Sequence, residues 1–288
     1  MIIGTRSSKL ALLQTEKVNE RLKAWGYEPT IKQVRSLGDV MTDRGLYEMP
    51  EKGVFVKKLD IMLLEGKIDL AVHSMKDIPL ERDEKLETSA VLPRDSPFDA
   101  LVSKYKLAEI PDDAVIGTSS VRRKLQFLQF MDANGVNVKI KDIRGNVDTR
   151  IRKLRSGDYD GVLLAEAGLE RLNLEVEYER LDCDPFVPSP NQGIIAVVTR
   201  RDSWTSELIS KIDDPDTRIE AEVETDVLKV IGGGCALPVG VHASCNDASV
   251  GLAVYIGASR EAYILETGVL SKERCRDEAC ELANRLIK

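Results

Sequence analysis

Apolar β-branched residues occur in short runs along this chain, and two of those runs lead into closely similar turns. Ile2-Ile3 is closed by Gly4-Thr5-Arg6-Ser7-Ser8 and followed by Leu10-Ala11-Leu12-Leu13-Gln14, apolar positions at helical spacing. Val115-Ile116 repeats the arrangement, with Gly117-Thr118-Ser119-Ser120 and Arg122-Arg123 ahead of Leu125-Gln126-Phe127-Leu128-Gln129. A second echo pairs 64–74 with 155–165. In each, a helix stops at a glycine (Gly66, Gly157) and a buried strand follows after one tight turn. Any α/β protein repeats such units singly, but two matches in the same order predict two lobes of similar topology. The spacing between the matches differs in the two halves, so this is not a strict repeat.

Prolines mark the passages between the lobes. Leu92-Pro93-Arg94-Asp95-Ser96-Pro97 leaves the first, and Pro185 to Gly193 leads back to Ile194-Ile195-Ala196-Val197-Val198, a run suited to a strand of the first lobe. Two such crossings predict a hinge, a natural setting for a ligand crevice. After Asp213-Asp214-Pro215 the pattern reads as a helix from Thr217 to Ile231, strands at about 239–245, 250–257 and 262–269, and a last helix over 272–287. The expected class is α/β, with lobe 1 at 1–93 plus 191–212, lobe 2 at 97–187, and a small α+β domain at 214–288.

The start of each predicted helix after a Gly-Thr-Ser turn carries chemistry. Small hydroxyl residues there cap the helix, and its free N–H groups and dipole attract anions. Arginine adds a planar fork that fits a carboxylate or phosphate in two places. The net charge of −7 opposes a broad nucleic-acid surface, which makes local arginine clusters more informative. The densest are Arg122-Arg123 and the run from Arg144 to Arg152. A solvated helix face accounts for Arg152, Lys153 and Arg155 but less well for Arg144-Gly145-Asn146, which is turn chemistry.

Hydrophobic content of 43% and charge of 31% are ordinary for a globular protein. No apolar run approaches the ~20 residues that span a bilayer, and no leader opens the chain, so a cytosolic protein without membrane contact is expected. Five cysteines form no C-x-x-C pair and only two histidines are present, so no metal site and no disulfide framework are expected. Two sites stand out. Ala71 to Pro79 places Ser74, Lys76 and Asp77 where a buried strand ends, the edge at which open α/β sheets meet ligands. His73 reads as a packed core residue. Gly232-Gly233-Gly234-Cys235 has more glycine than a helix stop requires, which is compatible with a protruding thiol and covalent attachment.

The motifs together resemble those of the porphobilinogen deaminase family. They are Gly4-Thr5-Arg6-Ser7, Gly53-Val54-Phe55-Val56-Lys57, Ala71 to Pro79, Gly117 to Arg123, Arg144 to Arg150, Ala167 to Leu172, Asn191-Gln192-Gly193 and Gly233 to Gly240, and they run through all three proposed domains. The resemblance implies two periplasmic-binding-protein-like lobes and a dipyrromethane cofactor joined to Cys235 through a thioether, with no metal and no nucleotide. It implies Asp77 as the catalytic carboxylate. Arg6, Arg122, Arg123, Arg144, Arg150 and Arg171 would bind the acetate and propionate groups of cofactor and substrate. Ser8, Ser74, Lys76, Thr118, Ser119, Ser120, Gly145, Asn146 and Gln192 would add hydrogen bonds, and Phe55 would pack on pyrrole rings. The implied partner is porphobilinogen alone, acted on by a monomer.

Three positions depart from the family pattern. Gly232 stands where an acidic residue is common, Lys58 where glutamate is common, and Glu48, in the 41–52 stretch, near a position that is often basic. Two other classes remain open from the residues themselves. A two-lobe anion-binding protein without turnover would need no reactive thiol, and a nucleic-acid or phosphate-binding regulator would need a more basic surface.

Overall fold

The structure is a computed structural model, and it describes residues 1–34, 54–232 and 238–287, with the side chains of Val54 and Phe55 outside that description. In chain order the first elements are β1 (Ile2–Arg6), α1 (Lys9–Ala24), β2 (Thr30–Val34), α2 (Val54–Leu64), β3 (Leu70–Ser74) and β4 (Leu86–Val91). Then come β5 (Asp99–Ser103), β6 (Val115–Gly117), α3 (Val121–Ala133), β7 (Lys139–Lys141), α4 (Val147–Arg155), β8 (Gly161–Ala165), α5 (Glu166–Arg171) and β9 (Glu179–Leu181). The chain continues with β10 (Ile195–Arg200), α6 (Trp204–Ile209), α7 (Pro215–Val230), β11 (Val239–Cys245), β12 (Ser249–Gly257), β13 (Tyr263–Ser271) and α8 (Cys275–Leu286). Two compact units result, Met1–Arg94 with Ile194–Arg218, and Asp95–Gly193 with Ile219–Lys288.

The first unit is a five-stranded sheet in the order β2-β1-β3-β10-β4. β1 is parallel to β2 and β3, while β10 is antiparallel to β3 and β4. Its strands are apolar on both faces, as a sheet covered on both sides requires. Leu70 and Val72 pack with Val18 and Leu22 of α1 and Leu208 and Ile209 of α6. Ala71, between them, faces the other way with Val198 and joins Leu59 and Leu63 of α2. The apolar run at 194–198 is thus the antiparallel strand of this sheet.

The second unit builds the same pattern from other residues. Its sheet runs β7-β6-β8-β5-β9, with β6 parallel to β7 and β8, and β5 antiparallel to β8 and β9. Leu101, Ile116 and Leu163 pack with Phe127, Leu128 and Met131 of α3 on one face. Ala100, Val102, Val162 and Leu164 pack with Ile151 of α4 and Leu169 of α5 on the other. The echo read from the sequence is therefore structural: both lobes have a parallel trio along one side of the sheet and an antiparallel strand inserted next to it.

A third sheet, β11-β12-β13, also belongs to the second unit. One face holds Val223 and Val227 of α7 and Ala279 and Leu282 of α8. Ala253 and Tyr255 turn from it to pack on Val187 of the 185–193 crossing, and Val241 N–H donates to Pro188 O at 3.0 Å. Asn191, Gln192 and Gly193 lie in this second unit, and the first unit resumes at Ile194 and continues to Arg218, beyond the expected 212. Gly193 has φ +88°, and a Cβ there would lie 2.8 Å from Ser96 O and closer still to Asp95 O. Both the left-handed backbone and the clash disfavour any side chain. Gly193→Ala is expected to destabilise the protein by roughly 3 kcal/mol or more; an unchanged denaturant midpoint would show that the crossing tolerates a side chain.

Candidate functional site

In the first unit the C-terminal ends of β1 and β3 lie side by side, since the two strands are parallel neighbours with Gly4 opposite Ala71. Arg6 ends β1, and Ser8 caps α1 by accepting Ala11 N–H at 3.3 Å. β3 ends at Ser74 and passes directly into a 3-10 turn over Met75–Asp77, which puts Lys76 and Asp77 at the same edge. The Asp77 carboxylate is exposed. Gln14, buried on α1, is named from the sequence only as part of a helical run and not among the expected site residues. Its Nε2 donates to Ser74 Oγ at 2.8 Å, and so ties the capped helix to the strand that leads to Asp77. Only its place at the sixth position of α1, on the buried face of the amphipathic pattern, hinted at this.

His73 is buried on β3, and its Nε2 has no hydrogen-bond partner among the described residues. Burial, then the charges of Arg82 and Arg6, pull its pKa from 6.5 down to about 3, so the imidazole is neutral at physiological pH. A buried, uncharged imidazole is in line with the core role expected of it. Arg82 is anchored by Asp60 of α2, through Nε to Oδ2 at 3.2 Å and Nη2 to Oδ1 at 2.5 Å.

In the second unit β6 ends at Gly117 opposite Val162, β8 continues to Ala165, and the antiparallel β5 starts where β8 ends, with Asp99 opposite Ala165. That reversal brings a carboxylate to the N-terminus of α3. Asp99 Oδ2 accepts from Arg122 Nη1 at 2.8 Å, and Oδ1 accepts from Arg123 Nε at 3.0 Å and Gln192 Nε2 at 2.9 Å. Arg123 Nη2 lies 2.7 Å from the same Oδ1. Burial alone would raise the Asp99 carboxyl, but the two guanidinium charges and their hydrogen bonds hold it well below the usual carboxylate range. Arg122 is buried too, at 5% exposure, and burial lowers its own pKa. Its Nη1 also donates to Gln126 Oε1 and Val187 O, each at 2.9 Å.

The hydroxyls of the turn are used locally. Thr118 Oγ1 accepts Ser120 N–H at 3.2 Å, Ser119 Oγ donates to Ile143 O at 2.9 Å, and Ser120 caps α3 by accepting Arg123 N–H at 3.4 Å. Ser119 thus joins this turn to the loop that continues through Arg144, Gly145 and Asn146 into α4. Arg150 folds back along α4, its Nε donating to Gly145 O at 2.8 Å. Burial and then the nearby Arg123 charge lower its pKa. Arg171 holds the crossing: Nε donates to Asp95 at 2.6 Å and Nη2 to Gly193 O at 2.5 Å. Cys235 lies outside the described residues, as do Glu48 and the 41–52 stretch. Gly232 is the left-handed stop of α7, with φ +69° and its N–H on Lys229 O at 3.0 Å, which is a backbone reason for glycine where the family often has an acid.

These two units define a class: α/β lobes, each presenting cationic and hydroxyl side chains at the carboxyl edge of its sheet. The comparisons make it specific. The family described as "Porphobilinogen deaminase, dipyromethane cofactor binding domain" matches residues 1–207. A probable porphobilinogen deaminase of Archaeoglobus fulgidus is 44% identical over 292 residues, covering all of this chain and 98% of that one. That of Methanosarcina barkeri is 49% identical over 246 residues, covering 84% of this chain and 77% of its own. Among solved structures, the methionine-binding protein MetQ aligns with a TM-score of 0.45 at 12% identity, over 74% of this chain and 89% of its own. The chain belongs to the porphobilinogen deaminase family.

The second unit's donor set fits the cofactor of that family. Arg122 and Arg123 meet on one carboxylate, Asp99, with Arg150 near enough to Arg123 to feel its charge, and this positive surplus suits a dipyrromethane that carries several carboxylates. His73 generates a pH dependence in the first unit. Between pH about 6.5 and about 3 the unfolded chain takes up a proton that the folded unit refuses, so stability falls as pH falls through that window. From about pH 7 to about pH 4 the wild type is expected to lose on the order of 3 kcal/mol more than His73→Gln. Parallel pH profiles in denaturant unfolding would contradict the buried neutral state.

Proposed function

We propose that the protein is a porphobilinogen deaminase that condenses four porphobilinogen units, one at a time, and releases hydroxymethylbilane by hydrolysis. Each condensation forms one carbon–carbon bond between the methylene carbon of the incoming unit and the free ring carbon of the growing chain. It expels ammonia and ends with loss of the ring proton. The dipyrromethane, held by a thioether to Cys235, supplies the primer on which that chain is built. The observation that carries the reading is the cluster at Asp99, where a protein of net charge −7 gathers one buried and one part-buried arginine on one carboxylate, with Arg150 close to Arg123. Each pyrrole brings an acetate and a propionate, so demand for such groups rises with every addition.

The residues divide the work by chemistry. In the first unit the exposed Asp77 carboxylate accepts pyrrole N–H bonds, offsets positive charge as ammonia leaves, and helps remove the ring proton. Arg6, Ser8, Ser74 and Lys76 bind carboxylates beside it, and Phe55 packs on rings. In the second unit Arg122, Arg123, Arg144, Arg150 and Arg171, with Thr118, Ser119, Ser120, Gly145, Asn146 and Gln192, hold the accumulating carboxylates. The same reading makes the protein a cytoplasmic, monomeric transferase of three domains, independent of metal and nucleotide. Among the described residues no helix is long and apolar enough to cross a membrane.

Ammonia release from porphobilinogen tests the proposal. The wild type is expected to release it. Asp77→Asn is expected to keep its unfolding midpoint and substrate binding while turnover falls about a hundredfold or more, since the shape survives and the charge is gone. Turnover by the variant within a few-fold of wild type would refute the role of Asp77, and no ammonia from the wild type would refute the reading as a whole.

A further inference from the structure

Asp99, one of the buried acids of the second unit, belongs to none of the motifs that carry the family resemblance, yet three residues that those motifs supply converge on it. Asp99 is 1% exposed and Gln192 equally buried. Arg122 touches Asp99, Gln126 and Val187 O through a single nitrogen, Nη1, and its Nε and Nη2 make none of these contacts. Arg123 is fixed on three nitrogens: Nε and Nη2 on Asp99, Nη2 also on Gln192 Oε1 at 3.2 Å, and Nη1 on Leu163 O at 3.2 Å. Gln192 is fixed in turn, with Nε2 donating to Pro97 O at 2.7 Å and Phe98 O at 3.1 Å besides Asp99. Two guanidinium groups this close repel each other, and the shared carboxylate is what holds them together.

We propose that Asp99 is a positioning residue for the carboxylate-binding arginines, restricting the donors they offer a ligand to Arg122 Nε and Nη2 and the remaining hydrogen of Arg123 Nη1. The inference rests on the deaminase reading and adds a division of labour to it. Arg122 both binds and braces: the nitrogen that holds Asp99 also holds Val187 O, to which Gln126 Nε2 donates at 3.1 Å. Arg123 is the more completely committed of the two, with one hydrogen left to give. Specificity for a carboxylate in one orientation then follows from fixed donors rather than from charge alone.

Asp99→Asn keeps the shape but replaces one acceptor oxygen with an amide that faces a guanidinium N–H. Steady-state kinetics, thermal unfolding and the intact mass of the Cys235 peptide are read together. With cooperative unfolding retained, KM for porphobilinogen is expected to rise about tenfold or more while kcat stays within about threefold. A folded variant that lacks the mass of the adduct on Cys235 supports the proposal equally, because the primer's carboxylates are the same ligand. An unchanged KM, or loss of kcat and stability with KM unchanged, overturns it. If Asp99→Asn does not fold, Arg122→Lys decides: it retains a charge for Asp99 but gives up the two forked donors. It is expected to unfold cooperatively with KM raised about tenfold or more, and a KM within twofold of wild type overturns the proposal. Ammonia release by the wild type, measured in parallel, separates failure of this inference from failure of the deaminase reading.

Discussion

A carboxylate and two guanidinium groups withdrawn from water are stable only when each satisfies the others, because an uncompensated buried ion costs several kcal/mol. Asp99, Arg122 and Arg123 meet that condition, and much of the second unit is arranged around it. The antiparallel β5 delivers the acid to the edge where parallel strands end and α3 begins. Gln192 closes the cluster from the crossing, and its amide reaches back to Pro97 and Phe98 at the start of β5. Val187 O receives Arg122 and Gln126, while the Val187 side chain supports Ala253 and Tyr255 of the third sheet. A charge cluster suited to acidic ligands is thereby part of what fixes the crossing and the small C-terminal sheet.

Glu224 provides a second tie of the same kind. This fully buried carboxylate on α7 accepts Asn191 N–H at 2.5 Å and Ala243 N–H at 2.8 Å, and His242 Nδ1 lies 3.6 Å from it. It joins the crossing to the helix and the strand that flank the Cys235 segment in sequence. The first unit follows a different electrostatic logic. Its buried histidine is kept neutral by burial and by neighbouring arginines, and the carboxylate assigned to catalysis stays at the surface on a short turn. In the proposed reading the acid chemistry falls to one copy of the topology, while both copies supply groups for carboxylate binding.

Much of the architecture was legible in the chain. Runs such as Leu70-Ala71-Val72 alternate between two apolar faces, and such strands need helices on both sides; the Gly-Thr-Ser turns located the helix starts at Ser8 and Ser120. The strand of the first unit at 194–198 followed from the prolines that lead into it, whereas its antiparallel direction appears only in the pairing with β3 and β4. The site was legible by residue type but not by engagement. Nothing local distinguishes Arg122, spent on Asp99, from Arg144 in its loop, because the partner lies 23 residues away and arrives only when β5 reverses direction. Gln14 and Glu224 were missed for the same reason, since their partners Ser74 and Ala243 are distant in sequence. Gly232 was read as a departure from a pattern, and its left-handed backbone accounts for it as a helix stop.

The central claim is that this fold carries a covalent pyrrole primer on Cys235 and extends it. The most direct measurement is the intact mass of the purified protein, mapped by peptide, before and after incubation with porphobilinogen. The account predicts an excess corresponding to a dipyrrolic unit on the Cys235 peptide, present from the start or acquired on incubation, and transient further additions of single pyrrole units. A Cys235 peptide that remains unmodified after incubation with porphobilinogen would contradict it.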